Sequence, residues 1–260
     1  MTKVAYERIG SAAVLTIDRE ERRNAVDTET AEELLEGYRS FEADDDARVM
    51  VLTGAGELAF CAGADLKALA EADLTDAAHW LDERSDGPLG FTRLTATKPT
   101  IAAISGYALA GGLELALWCD LRIGTGTARL GFPERRWGVP LIDGGTQRLP
   151  RVVGMGRAIE MILTGRIVEA EEAREMGLLN EIVGPGKHLE RALEIAEGLA
   201  AFPQDTMLAD RRSAIEGFGL PLAGGLALEA EIGSATAPTG VAGAARFASG
   251  EGRGGEGAGV

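Results

Sequence analysis

Two glutamates and two glycine-bearing segments carry the chemistry this chain can do. Ala59-Phe-Cys-Ala-Gly-Ala-Asp65 follows an apolar run, and its small residues leave backbone amides uncrowded where a carbonyl could approach. Ser105-Gly-Tyr-Ala-Leu-Ala-Gly-Gly-Leu-Glu114 leads a strand through a glycine pair into a helix, whose first amides point outward unpaired at the positive end of the dipole. One amide from each segment, converging on a single oxygen, would make an oxyanion hole. Glu114 lies in the first turn of an otherwise apolar helix, and Glu134 follows twenty residues later, after Leu130-Gly-Phe-Pro133. Two carboxylates beside such a hole suit proton movement at carbons next to a carbonyl. Each feature also has a plainer reading: a tight turn for either glycine cluster, a helix-dipole partner for Glu114, and a helix N-terminal carboxylate beside Arg135 and Arg136 for Glu134.

Composition narrows the partners. Against 26 Lys and Arg stand 41 Asp and Glu, a formal charge of −15, which disfavours nucleic acid and anionic membrane surfaces. An anionic small ligand would need a local basic or amide-lined pocket. Two cysteines, Cys61 and Cys119, cannot build a disulfide framework, and two histidines, His79 and His188, leave no His-rich metal site. Both histidines read as solvated, His188 at the start of a surface helix. With no signal-peptide pattern and no apolar run of membrane-spanning length, the expected address is the cytoplasm. A G-x-G-x-x-G at Gly252, Gly254 and Gly257 sits in a Gly-rich tail without a flanking strand and is a composition accident.

The elements that must hold these residues follow from the hydrophobic pattern. Val4–Ile9 and Ala12–Ile17 read as a hairpin turned at Gly10-Ser11, and Thr28–Phe41 as an amphipathic helix capped by Asp27 or Thr28. Val49–Thr53, Thr100–Ile104 and Leu121–Ile123 read as buried strands, with Gly111–Cys119 as a buried helix between the last two. Strand–helix–strand order predicts parallel pairing by crossover connections. Residues 68–93 read as a charged, partly helical excursion. Helical pattern dominates from Gly154 to Ala201, with Glu181–Val183 as a short strand, and the last sixty residues read as helical before a frayed tail.

Taken in order, Ala62-Gly-Ala-Asp65, Gly111-Gly-Leu-Glu114, Phe132-Pro-Glu134 and Gly144-Gly-Thr-Gln-Arg-Leu149 resemble the enoyl-CoA hydratase/isomerase (crotonase) superfamily. Arg23-Asn-Ala25, Lys98-Pro-Thr-Ile-Ala-Ala-Ile-Ser-Gly106 and Thr164-Gly-Arg…Ala173…Gly177-Leu-Leu-Asn180 add to the match, which is strong over residues 4–200. The resemblance implies an α/β fold, a spiral of ββα units over residues 1–200, with a helical C-terminal region at 201–260 that forms a homotrimer or a dimer of trimers. It implies an enzyme acting on an acyl-CoA thioester, with the oxyanion amides on Ala64 and Gly111. Glu114 and Glu134 would be the acid–base pair of a hydratase adding water to a 2-enoyl-CoA, with no metal or redox cofactor. Arg23, Ala25, Ala62, Asp65, Leu66, Lys67, Trp137 and Asp143 would contact the substrate, Arg23 and Lys67 toward CoA. The chain departs from the hydratase pattern at Leu141-Ile142-Asp143, where small residues are usual. That departure keeps an isomerase as an alternative, in which Glu134 alone moves the proton and Asp143 assists; a non-catalytic acyl-CoA-binding protein is the alternative of another class, although both glutamates persist.

Overall fold

Among the described residues, ten short strands shared between two sheets build the frame of the N-terminal part. The structure, a computed structural model, describes residues 2–71 and 85–251. The strands are β1 Val4–Ile9, β2 Ala12–Ile17, β3 Val49–Gly54, β4 Ala59–Cys61, β5 Thr100–Ile104, β6 Tyr107–Leu109, β7 Leu121–Thr125, β8 Arg129–Gly131, β9 Ile167–Glu169 and β10 Glu181–Val183. The described helices, numbered in chain order, are α1 Thr28–Ala43, α2 Leu66–Glu71, α3 Gly111–Trp118, α4 Gly145–Val153, α5 Met155–Thr164, α6 Ala170–Glu175, α7 His188–Ala201, α8 Gln204–Gly217, α9 Leu222–Ala235 and α10 Ala237–Ser249. Contacts divide the chain into Met1–Ala196 and Glu197–Val260, with the boundary inside α7.

In the first unit, the larger sheet runs β1-β2-β3-β5-β7-β10 and the smaller β4-β6-β8-β9. β1 and β2 form the expected antiparallel hairpin, Val4 opposite Ile17 and Ile9 opposite Ala12. Beyond them the large sheet is parallel: Val51 pairs with Val14 on one side and Ile101 on the other. These central strands are buried on both faces, which is why they read as unbroken apolar runs. α1 makes the crossover from β2 to β3. Asp27 caps it by accepting the Thr30 amide at 2.9 Å, and Ala31, Leu34, Tyr38 and Phe41 turn inward. Tyr38, Phe91 and Trp118 form an aromatic cluster with centroids 4.5–5.7 Å apart. Fully burying each such side chain contributes roughly 1.5–3 kcal/mol.

The spiral lies in the strand order. β3 then β4, β5 then β6, and β7 then β8 each give one strand to the large sheet and the next to the small one. β4, β6 and β8 pair in parallel, so their C-terminal ends lie side by side. Ala64 follows β4, Gly111 follows β6 and Glu134 follows β8. Gly112 permits a close approach of α3 to the end of β4, since a Cβ there would lie 2.0 Å from the Cys61 carbonyl oxygen.

The second unit, in its described residues, carries α8, α9 and α10, and none of these helices holds a buried residue. Phe218, Leu222, Val241 and Phe247 are all more than half exposed. One expectation is corrected here: His188 does open α7, but its ring is buried rather than solvated, and among the described residues its Nδ1 has no hydrogen-bond partner. Burial holds its titration below the ordinary histidine value. His79, the middle of the 68–93 excursion and the glycines 252, 254 and 257 lie outside the described residues.

Candidate active site

A cavity of about 230 Å³ opens where the three parallel strand ends meet, and Ala64, Gly111, Glu114, Glu134 and Asp143 all line it. The two amides reach it for separate local reasons. Val26 bridges to the Ala64 segment by donating to the Gly63 carbonyl and accepting the Asp65 amide, both at 2.8 Å. Alternation then turns the Ala64 N–H away from Val26. The Gly111 N–H is the first of α3 and has no intrahelical acceptor. Among the described residues neither amide donates to the protein. Ala110 sits at φ 53°, ψ −127°, a left-handed conformation costing about 1–3 kcal/mol in a non-glycine residue, and this turns the 110–111 peptide. The segments touch at Gly63, whose φ is +91°; a Cβ on Gly63 would lie 2.9 Å from the Gly111 nitrogen.

Glu114 is only 2% exposed. Its Oε1 accepts the Gly145 amide at 2.7 Å and the Asp143 amide at 3.0 Å. Burial, then the negative Asp143, push its carboxyl up to about 8, against the pull of those two amides. Its role as a partner for its own helix dipole is therefore secondary: the amides it binds come from another segment. Gly145 must be small, because a Cβ there would lie 3.0 Å from both Cγ and Oε1 of Glu114.

Glu134 stands in a 3₁₀ turn, Pro133–Trp137. It is 4% exposed, and among the described residues neither carboxylate oxygen has a hydrogen-bond partner. Burial raises its carboxyl above the ordinary range, opposed first by the N–H dipole of its own backbone and then by the charge of Arg135. Arg135 and Arg136 themselves are exposed. A buried carboxylate left unpartnered inside a cavity is costly unless something polar occupies the space before it.

The remaining candidates divide. Ala62, Asp65, Leu66 and Trp137 line the cavity along with Leu141 and Ile142. Trp137 is 75% exposed, so it stands at the rim. Asp65 spends its carboxylate on structure. Oδ2 pairs with Arg19 at 3.0 Å, and Oδ1 accepts the Lys67 and Ala68 amides at the start of α2. Burial favours its neutral form, but the Ala68 amide and Arg19 outweigh it and hold the carboxyl below the ordinary range. Arg23, Ala25 and Lys67 are not among the residues lining the cavity. Ala25 is buried, Lys67 is exposed beside Leu66, and the exposed Arg23 lies 5.7 Å from the Tyr107 ring.

Sequence reasoning missed Arg19. Only 8% exposed, it bonds Asp27 and Asp65 at 3.0 Å each and donates to the Ala25 carbonyl, tying the Ala64 segment to the chain before α1. Its run, Asp18-Arg19-Glu20-Glu21, looks like a solvated charge cluster, and nothing in it marks one arginine as buried. Among the described residues no group of three His, Cys, Asp or Glu side chains could hold a metal ion, and no helix is long and apolar enough to cross a membrane.

The family model described as "Enoyl-CoA hydratase/isomerase" matches residues 7–240. The chain is 37% identical over 235 residues to the short-chain-enoyl-CoA hydratase of Clostridium acetobutylicum, covering 89% of this chain and 88% of that one. It is 38% identical over 223 residues to the (E)-benzylidenesuccinyl-CoA hydratase of Thauera aromatica, covering 86% of each. Among solved structures, an enoyl-CoA hydratase from Mycobacterium marinum superposes with a TM-score of 0.85 at 34% identity, covering 95% of this chain and 94% of that one.

Proposed function

Because the chain belongs to the enoyl-CoA hydratase/isomerase family, with its crotonase fold, we propose that it adds water across the C2–C3 double bond of a 2-enoyl-CoA thioester. The observation that carries this reading is the pair of buried carboxylates, Glu114 and Glu134, in one cavity beside two uncommitted amides. The thioester oxygen accepts from the Ala64 and Gly111 N–H groups. Each donor of this kind contributes about 3–4 kcal/mol to stabilising the charge that develops there. The glutamates repel one another's charge and hold one proton between them. The ionised member takes a proton from water as the hydroxyl oxygen bonds to C3. The C2–C3 π electrons then move toward the thioester, giving an enolate. The protonated member delivers its proton to C2, and the pair again holds one proton. Water is the only co-reactant, so the step balances without a metal or redox group.

The short-chain and benzylidenesuccinyl relatives act on unlike acyl groups by their names, so the acyl group here is set by this chain's own walls, Leu141 and Ile142 among them. Trp137 and Leu66 meet the thioester at the rim, and Lys67 meets the CoA beyond it. Exposed apolar side chains on α8–α10 support a homotrimer built through the C-terminal unit.

The test is the loss of conjugated-enoyl absorbance with 2-enoyl-CoA substrates, run beside 3-enoyl-CoA. Wild type should consume the first, and Glu114→Gln and Glu134→Gln should each lose about 10²–10⁴-fold. An isomerase would need only Glu134, so full 3-enoyl turnover by Glu114→Gln, with no hydration by wild type, would overturn the reading.

A further inference from the structure

We propose that Asp143 is a positioning residue: it holds Leu89 against the oxyanion amide of Gly111 and so sets how much substitution the acyl carbons nearest the thioester can carry. This rests on the acyl-CoA reading above and names what shapes its site.

Asp143 is 3% exposed and joins three parts of the cavity. Its backbone N–H donates to Glu114 Oε1. Its Oδ1 accepts the Leu89 amide at 3.0 Å and the Thr92 hydroxyl. Its carbonyl oxygen accepts from Arg148 Nη1 at 2.8 Å, and Nη2 of the same guanidinium donates to the Thr92 carbonyl at 2.6 Å. Residues 85–92 contain no helix or strand and turn at Gly87 and Gly90, both left-handed, with φ of +113° and +101°. Such a segment has no ladder of its own to fix it. Phe91 holds one part of it in the aromatic cluster and Asp86 pairs with Arg39 at 3.0 Å, while the carboxylate of Asp143 and the fork of Arg148 anchor it at Leu89 and Thr92.

What the anchor holds is specific. Leu89 is 3% exposed, lines the cavity next to Pro88, and its Cδ1 lies 2.5 Å from where a Cβ on Gly111 would stand. The side chain therefore packs on the residue whose N–H meets the thioester oxygen. Substituents near the thioester must pass it. Oδ1 is committed to these two donors, and through it Asp143 positions Leu89.

The experiment compares wild type, Asp143→Asn, Asp143→Ala and Leu89→Ala by amide hydrogen exchange at Leu89. The same four proteins are titrated with butanoyl-CoA and 3-methylbutanoyl-CoA. These saturated thioesters cannot be hydrated, so the binding ratio reads the anchor whether or not the chain turns over any enoyl thioester. Asparagine keeps a carbonyl acceptor and should preserve both the Leu89 protection and the ratio of the two Kd values. Asp143→Ala should lose the protection and weaken discrimination against the branched thioester about tenfold, the scale of one methyl group in a fitted pocket. Leu89→Ala should give the same loss of discrimination with the anchor intact. Loss of protection without a change in the ratio, or an asparagine variant behaving like alanine, would overturn the proposal.

Discussion

Replacing Glu114 by glutamine should disable the enzyme and stabilise the protein. Gln keeps an Oε1 acceptor for the amides of Gly145 and Asp143, at 2.7 and 3.0 Å, so the wall around it stands. What disappears is a carboxyl whose ordinary value of 4.5 is pushed up to about 8, first by burial and then by the Asp143 charge. Between those two values the folded chain keeps a proton that the unfolded chain has released, so raising the pH favours unfolding. The contribution of the group is complete below 4.5 and gone above about 8. At about 1.4 kcal/mol per decade of proton affinity, the cost is about 1 kcal/mol at pH 5, about 3 at pH 7 and about 4 at pH 8. Other titrating groups are common to both proteins and largely cancel in the difference. Urea unfolding of both proteins at these three pH values and one protein concentration should therefore show the stability difference growing by about 3 kcal/mol in favour of Glu114→Gln. Activity should fall by about 10²–10⁴-fold at the same time. A difference that stays flat with pH, or one that grows in favour of wild type, would refute the account of Glu114 as a carboxyl held protonated by its surroundings.

Gly145→Ala should cost about 10–100-fold in rate with little loss of substrate affinity, because the new Cβ would meet Glu114 Cγ and Oε1 at 3.0 Å and small misplacements of a reacting group cost that much; steady-state kinetics separates kcat from KM. Arg19→Met leaves the carboxylates of Asp27 and Asp65 without the charge that bonds each at 3.0 Å, and thermal or urea unfolding should show a loss of about 3–5 kcal/mol. Trp137→Ala, at a residue 75% exposed, should leave stability within about 0.5 kcal/mol while raising the KM for enoyl-CoA.

How much the chain discloses depends on element length. The hairpin, β3, β5 and α1 carry five or more residues of period or apolar run, and each is legible at nearly its observed bounds. β4, β6, β8 and β9 have three residues each, too few for a period to register, so the second sheet is invisible although it brings the site together; β10, equally short, is legible because Gly184-Pro-Gly186 marks its end. The site is legible where a residue contradicts its surroundings, as Glu114 does in Leu113-Glu-Leu-Ala-Leu-Trp118. It is hidden where surroundings and residue agree. Arg19 lies in a run of charges, and Leu89 follows a stretch too polar to suggest a cavity wall. His188 misleads for the same reason, because Lys187 and Glu190 suggest a solvated turn around a ring that is buried.

The central claim is that one water is split across C2 and C3 by the buried glutamate pair. Mass spectrometry of the product formed from a 2-enoyl-CoA in oxygen-18 water, and separately in heavy water, tests it most directly. The account predicts one oxygen-18 at C3 and one deuteron at C2, with both labels lost together in Glu134→Gln. A product carrying deuterium but no oxygen-18 would mean that the site moves protons without adding water, and would contradict it.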